Sequence, residues 1–377
     1  MSHPVRVTRT HLADGRELLY FDDEEPFLSG ESTRTLEDPR DLPTAHTQSE
    51  MRRDPLTGEW NVYAAHRMNR TFMPPANENP LAPSKPGELP TEIPADDYNV
   101  VVFENRFPSL SLHMEEGAEA LDSGLPELYP QEPARGRCEV VCFTPEVSHS
   151  FRDLSPHRVR TVIEVWAHRT AELSAIEGIR LVFPFENRGE EIGVTLQHPH
   201  GQIYSYPYVP TRAQSILTQS QAHRSQTGRD LFEDILQAEQ EDGRRIIRRG
   251  EHFLVFVPAA AKWPVEAMIM PLRDVKDFAD LTEEEKDELA VLYLDLLRRI
   301  DQFFEGVEKT PYISAWNQAV VGEGREFGRF HLQLFSLMRS PGRMKFLAGS
   351  ESGQSAWISD TTPERIAQRF QEIGEQA

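Results

Sequence analysis

The same order of predicted elements occurs twice in this chain, and that repetition restricts the possible folds more than any single motif does. The first copy reads strand 98–103, strand 138–143, Phe151-Arg152-Asp153-Leu154-Ser155, a helix, strand 179–184 and a strand carrying His200. The second reads strand 253–257, strand 267–271, Phe278-Ala279-Asp280-Leu281-Thr282, a helix, strand 312–316 and a strand containing Phe330-His331-Leu332-Gln333-Leu334. The step from Phe151 to His200 nearly equals that from Phe278 to His331, which indicates an internal duplication. Each helix has its own start signal and apolar stripe. Ser155 before Pro156 reads as an N-cap followed by a proline at the first helical position, with Val159, Val162, Ile163 and Trp166 on one face. Thr282 and Glu285 form a capping box, and Leu289, Leu292, Tyr293, Leu296 and Ile300 continue that stripe. Strand, strand, helix, strand, strand, twice over, predicts an α+β protein with largely antiparallel sheets and helices on one face.

Around these units, residues 5–21 read as a hairpin about Ala13-Asp14-Gly15, followed by an acidic, polar arm to residue 49. Arg52 to Trp60 reads as a turn leading into strand 60–64. Seven prolines, from Pro74 to Pro94, make 74–95 an irregular loop. Between the copies, 211–249 is a polar helical stretch broken at Gly228 and Gly243, and 363–373 is a short amphipathic helix. The expected division is a hairpin and arm (1–50), a first half (51–210) with a His-Pro-His motif, and a second, degenerate half (211–377).

Composition excludes several classes. Hydrophobic residues make up 38% of the chain, and no apolar run approaches the ~18 residues of a membrane span. Residues 1–9 are polar and show no signal-peptide core. Cys138 and Cys142, sharing a strand, would lie about 13 Å apart, too far for a disulfide, and a cytoplasmic location fits. A net charge of −21 argues against nucleic acid as a partner. It also requires a local arginine cluster to hold any phosphate-bearing ligand against the global field.

The stretch Gln197-His198-Pro199-His200-Gly201-Gln202-Ile203-Tyr204 is the hardest to read as scaffold. On an extended strand, residues two apart share a face, which groups His198, His200 and Gln202. Pro199 removes a ladder N–H, and Gly201 permits close approach of a ligand or another chain. A histidine attacking phosphorus needs one ring nitrogen aimed at the ligand and the other held by an acceptor. The His198 carbonyl can be that acceptor, and the Gln202 amide can hydrogen-bond phosphoryl oxygens as charge develops. A surface strand with two incidental histidines is the alternative these residues leave open. His331 reads as a partly buried histidine on an apolar strand.

The stretch resembles the His-Pro-His-x-Gln motif of the galactose-1-phosphate uridylyltransferases, a branch of the histidine-triad superfamily, and the resemblance covers roughly residues 51–377. It implies two histidine-triad-like halves. It also implies a two-step exchange of a uridylyl group between a UDP-hexose and a hexose 1-phosphate, through a covalent uridylyl-histidine. By the matching motif, His200 corresponds to the nucleophile, Gln202 to the phosphoryl-binding amide and His198 to the first histidine. Arg67 and Arg70 match paired arginines near the phosphates, where a bidentate grip suits arginine. Asn105 and Asn187 match nucleotide-contacting asparagines; taken alone, they read as turn formers. Gly193 and Thr195 match the loop entering the histidine strand. Lys345, Phe346 and Glu351 match a segment that in the family reaches the sugar from the partner subunit, which implies a homodimer. Without that match, Glu351 reads as a solvated charge.

The chain departs from the family at its metals. Many members hold a zinc by Cys-x-x-Cys, a histidine and the first histidine of the motif. Here Asn79-Pro80-Leu81-Ala82 and Val147 stand at those places, leaving only His198. At a second family site, a glutamate and three histidines are matched by Ile216, Asn317, Arg329 and His331. One ligand of four does not make a tetrahedral site, so no zinc, iron or other cofactor is expected. At the sugar end, Ser350 falls where some members have tyrosine, and Trp357 near a glutamine position, which leaves the hexose open. Two rivals stand beside this expectation: a relative using another nucleotide or sugar, such as an adenylyl transferase, and a catalytically silent nucleotide-sugar binding protein. Retention of the whole His-Pro-His-Gly-Gln run argues against the second.

Overall fold

The two repeated units build a single continuous sheet in the computed structural model, which describes residues 3–34, 37–69, 78–114 and 126–376. In chain order the strands are β1 (Arg6–His11), β2 (Glu17–Asp22), β3 (Glu50–Arg53), β4 (Trp60–Tyr63), β5 (Val100–Glu104), β6 (Gln131–Pro133) and β7 (Arg137–Cys142). They continue with β8 (Leu181–Arg188), β9 (His200–Tyr206), β10 (Ile246–Arg249), β11 (Phe253–Phe256), β12 (Val265–Pro271), β13 (Tyr312–Asn317) and β14 (His331–Ser336). The helices are α1 (Pro156–Ser174), α2 (Thr211–Thr227), α3 (Leu231–Asp242), α4 (Glu283–Asp301), α5 (Gly349–Gln354) and α6 (Pro363–Gln376).

The large sheet runs β1-β2-β5-β7-β9-β8-β13-β14-β12-β11-β10, with antiparallel pairing throughout. The duplication is visible in that order. The run β5-β7-β9-β8 is followed by its counterpart β13-β14-β12-β11, reversed about the β8–β13 seam, where Arg188 faces Tyr312 and Phe185 faces Ala315. Strands β4-β3-β6 form a separate small sheet.

Both long helices start where their caps predict. The Ser155 hydroxyl accepts from Arg158 N, and Thr282 and Glu285 close a reciprocal box. Their stripes pack α1 and α4 onto one face of the sheet around Trp166, Tyr293 and Trp316, whose rings lie 5.1–6.3 Å apart. Burial of each such side chain stabilises the fold by about 1.5–3 kcal/mol. The opposite face is covered too. Phe232 and Leu236 of α3 pack on Leu254 and Phe256, while Leu81, Ile93 and Tyr98 pack on Leu18, Tyr20 and Val101. A strand covered on both sides is apolar except where its charges are paired: Leu18–Phe21 of fully buried β2 are apolar or aromatic, while Glu17 and Asp22 at its ends meet Arg137 and Arg34.

Three boundaries differ from expectation. The helical stretch from 211 stops at Gly243, whose φ of 73° ends α3 in the left-handed region, so 246–249 becomes edge strand β10 and not helix. The strand expected at 179–184 runs through Arg188 instead, because pairing with β13 extends it. Strand β9 begins at His200, so His198 and Pro199 precede the ladder, although His198 and His200 both border one cavity. The expected loop 74–95 is irregular over 78–95, and 74–77 lie outside the described residues.

Candidate active site

Strand β9 turns alternate residues to opposite sides of the sheet. Ile203 joins the core under α1 and α4, while His200, Gln202 and Tyr204 are half-buried on the other side. There His200 lines two neighbouring cavities. The larger, about 530 Å³, is also bounded by Ser150, Asn187, Arg188, His198 and Lys309. The smaller, about 150 Å³, is bounded by Arg67, Asn105, Arg106, Thr195 and Gln202.

His200 Nδ1 lies 2.7 Å from the His198 carbonyl. A carbonyl oxygen only accepts, so Nδ1 carries the hydrogen and Nε2 keeps its lone pair. Burial lowers the His200 pKa, opposed by the bond to His198, and the ring is therefore neutral at pH 7. Gly201 does serve close approach, but to the protein's own interior. A Cβ there would stand 2.7 Å from Phe143 Cζ and 3.0 Å from the Phe185 carbonyl.

The other expected residues divide by position. The Gln202 side chain makes no hydrogen bond among the described residues and borders the smaller cavity with its amide available. Arg67 borders the same cavity, with Nη1 donating to Phe107 O at 3.0 Å. Its expected companion Arg70 lies outside the described residues. Asn105 both makes a turn, accepting from Phe107 N at 2.9 Å, and lines the smaller cavity. Thr195 lines the smaller cavity and Asn187 the larger. Gly193 lines neither; with φ of 85° it closes the short turn Glu190–Ile192 before them.

Lys345, Phe346 and Glu351 stand elsewhere in the chain. Lys345 Nζ is buried against Glu351 Oε1 at 2.7 Å and donates to the Ile358 carbonyl. Glu351 also accepts from Ala348 N and Ile358 N, so Lys345 and these amides hold its carboxyl down at about 2. This is a buried pair bracing a loop, not a solvated charge. Phe346, beside it, is 87% exposed.

Three cations at the cavities, Arg106, Arg188 and Lys309, were not singled out from sequence. Arg106 sits between Asn105 and Phe107, and its Nη1 is only 3.5 Å from Glu92. Lys309 belongs to the second half, and only the β8–β13 seam brings it to the wall shared with His200. No spacing in the sequence could have signalled that.

The residues at the two family metal positions do not supply a ligand set. His198 has both ring nitrogens engaged, Nδ1 with Asn79 Nδ2 at 3.3 Å and Nε2 with Thr144 O and Tyr98 OH, each at 2.9 Å. Val147 offers no donor. At the second position His331 Nδ1 bonds Arg329 O at 2.8 Å, and the buried Arg329 guanidinium lines the same small cavity as His331 and Asn317, a charge that opposes a cation.

Comparison with known proteins gives the same picture at full length. Residues 40–210 match the family model of the galactose-1-phosphate uridyl transferase N-terminal domain, and 216–376 that of its C-terminal domain. A galactose-1-phosphate uridylyltransferase of Streptomyces lividans is 41% identical over 98% of this chain and 99% of its own. One from Thermotoga maritima is 31% identical over 86% of this chain and 98% of its own. A solved uridylyltransferase structure superposes with a TM-score of 0.77 at 29% identity, over 87% of this chain and 99% of that one. The chain therefore belongs to the galactose-1-phosphate uridylyltransferase family.

Proposed function

We propose that this protein exchanges a uridylyl group between a UDP-hexose and a hexose 1-phosphate, of the UDP-glucose and galactose 1-phosphate type, through uridylyl-His200. The observation that carries this reading is the His200 ring itself: Nδ1–H is tied to the His198 carbonyl at 2.7 Å, and the ring stands where two cavities meet. In the first step the Nε2 lone pair attacks the α-phosphorus. An N–P bond forms, and the P–O bond to the hexose 1-phosphate breaks with its electrons. In the second step a phosphate oxygen of the incoming hexose 1-phosphate attacks the same phosphorus, and the N–P bond breaks. The lone pair is already present on a neutral ring, so neither step needs a separate general base. Gln202 and Arg67 are placed to bind the phosphoryl oxygens, where charge-assisted bonds strengthen as the transition state develops.

The donor sets at both family metal positions support catalysis without a resident metal ion. The chain acts as a homodimer, with exposed Phe346 reaching the partner. Two buried free thiols and the absence of a helix long and apolar enough to cross a membrane, among the described residues, support a cytoplasmic location. The deciding experiment is intact-mass measurement after incubation with UDP-glucose. The native chain should gain one uridylyl group and His200→Gly none. A native chain without adduct, or turnover by His200→Gly, refutes the proposal. A panel of other nucleoside diphosphate sugars tests the rival donor.

A further inference from the structure

The carbonyl that orients His200 belongs to a residue whose own ring is tied down, and the tie comes from a distant loop. His198 is buried at 1% exposure, and its Nδ1 lies 3.3 Å from Asn79 Nδ2. The Asn79 amide is not free to turn. Its Oδ1 accepts from Leu81 N at 3.0 Å, which leaves the NH₂ as the group facing His198. An amide NH₂ only donates, so His198 Nδ1 must be the accepting nitrogen and Nε2 must carry the hydrogen. That hydrogen meets the Thr144 carbonyl at 2.9 Å, and the same carbonyl accepts from Tyr98 OH at 2.7 Å. Every donor and acceptor in the chain Leu81–Asn79–His198–Thr144 then has one consistent role. With the roles reversed, Nδ1–H would face the NH₂, and a bare Nε2 would face the Thr144 carbonyl and could accept from Tyr98 OH only if that hydroxyl gave up its bond to Thr144 O.

We infer that Asn79 is a positioning residue for the nucleophile: its clamped amide sets the tautomer and orientation of the His198 ring, and thereby the carbonyl that aims His200 Nε2 at phosphorus. This rests on the reading of His200 as the nucleophile. The loop gives the clamp a second consequence. Pro80 and Leu81, next to Asn79, form part of the wall of the smaller cavity, so one amide couples that wall to the segment entering β9. A neutral hydrogen-bond chain, not a coordinated ion, is what holds the first histidine of the motif in this protein. Partners that orient metal-binding histidines change activity by about 10- to 100-fold when removed, and the same order is expected for an amide that orients His198.

The test uses the full chain with ¹⁵N-labelled histidine. Its ring resonances report which nitrogen is protonated, and His198→Gln identifies the relevant signals. In the native protein His198 should be protonated at Nε2. Asn79→Asp, close to isosteric, places an acceptor against Nδ1 and should move the proton there or leave the ring doubly protonated. Asn79→Ala should give mixed tautomers. Tyr98→Phe should leave the tautomer unchanged, because Thr144 O still accepts. Uridylylation of His200 in a single turnover should slow roughly tenfold or more in both Asn79 variants. A native signal protonated at Nδ1, an unaltered signal in Asn79→Asp, or native transfer rates in both Asn79 variants overturns the inference. Should Asn79→Ala fail to fold, Asn79→Asp carries the test. A native chain that takes no uridylyl group defeats the functional proposal instead, while the ring signals still decide the role of Asn79.

Discussion

Gly201→Ala probes the site where fold and chemistry meet most closely. The new Cβ would lie 2.7 Å from Phe143 Cζ, about 1 Å short of an ordinary carbon–carbon contact. Phe143 cannot retreat easily, because it is fully buried with Phe151 at 4.8 Å and Trp166 at 6.3 Å between ring centres. The second clash, 3.0 Å to the Phe185 carbonyl, involves the backbone of neighbouring β8, which moves only with its strand. The strain therefore falls largely on β9. Overpacking of this kind costs about 1–3 kcal/mol of stability. A displacement of His200 by a good part of an ångström should slow phosphoryl attack by about 10²-fold. Denaturant midpoints measure the first effect and single-turnover uridylylation the second. Phe143→Leu removes the Cζ atom, so the double variant should recover part of both losses, with the Phe185 contact accounting for the remainder. Native stability and rate in Gly201→Ala, or strictly additive losses in the double variant, would refute this reasoning.

Three further outcomes are expected. Asp301 has a fully buried carboxylate that accepts from Arg188 Nη1 at 3.0 Å, Arg152 Nη1 at 2.8 Å and Thr310 N at 2.8 Å. Asp301→Ala leaves Arg188, at the larger cavity, without its hydrogen-bonded carboxylate and Arg152 with only Asp153 at 3.5 Å, and should cost about 3–5 kcal/mol in chemical unfolding; a loss below about 1 kcal/mol contradicts the buried-pair account. Burial holds His198 and His331 down to about 4, so each takes up a proton on unfolding below its ordinary 6.5; stability should be complete above that value and lost as pH falls towards 4, and a flat unfolding midpoint across the window refutes it. The native chain should sediment as a dimer and Phe346→Asp as a monomer, with a monomeric native chain excluding the proposed role of that exposed ring.

Much of the fold is legible because its signals are local. The N-caps at Ser155 and Thr282, the stripes of α1 and α4, and the left-handed breaks at Gly228 and Gly243 each depend on residues within a turn or two of one another. Duplication is equally readable, since the second unit repeats the first in order. The tie between His200 and the His198 carbonyl is local as well, two residues apart, and the expected acceptor is the one found. Where such reasoning fails, the missing information is tertiary. Strand β10 is helix by composition and strand by its pairing with β11.

The duplication also set a question that spacing along the chain leaves open, namely which histidine works. His331-Leu332-Gln333 repeats the pattern of His200-Gly201-Gln202, and both Nδ1 atoms bond the carbonyl two residues back, at 2.8 and 2.7 Å. What separates them is cover. His331 is 3% exposed, with Phe232 of α3 at 5.8 Å and Gln333 bound to Glu266 at 2.7 Å, so no substrate-sized space or free amide is left beside it. His200 instead borders two cavities, one walled partly by Lys309 from the other half. Bonds between near neighbours are written into the order of residues, whereas access to solvent and the company of distant cations exist only once both halves have closed on their common seam.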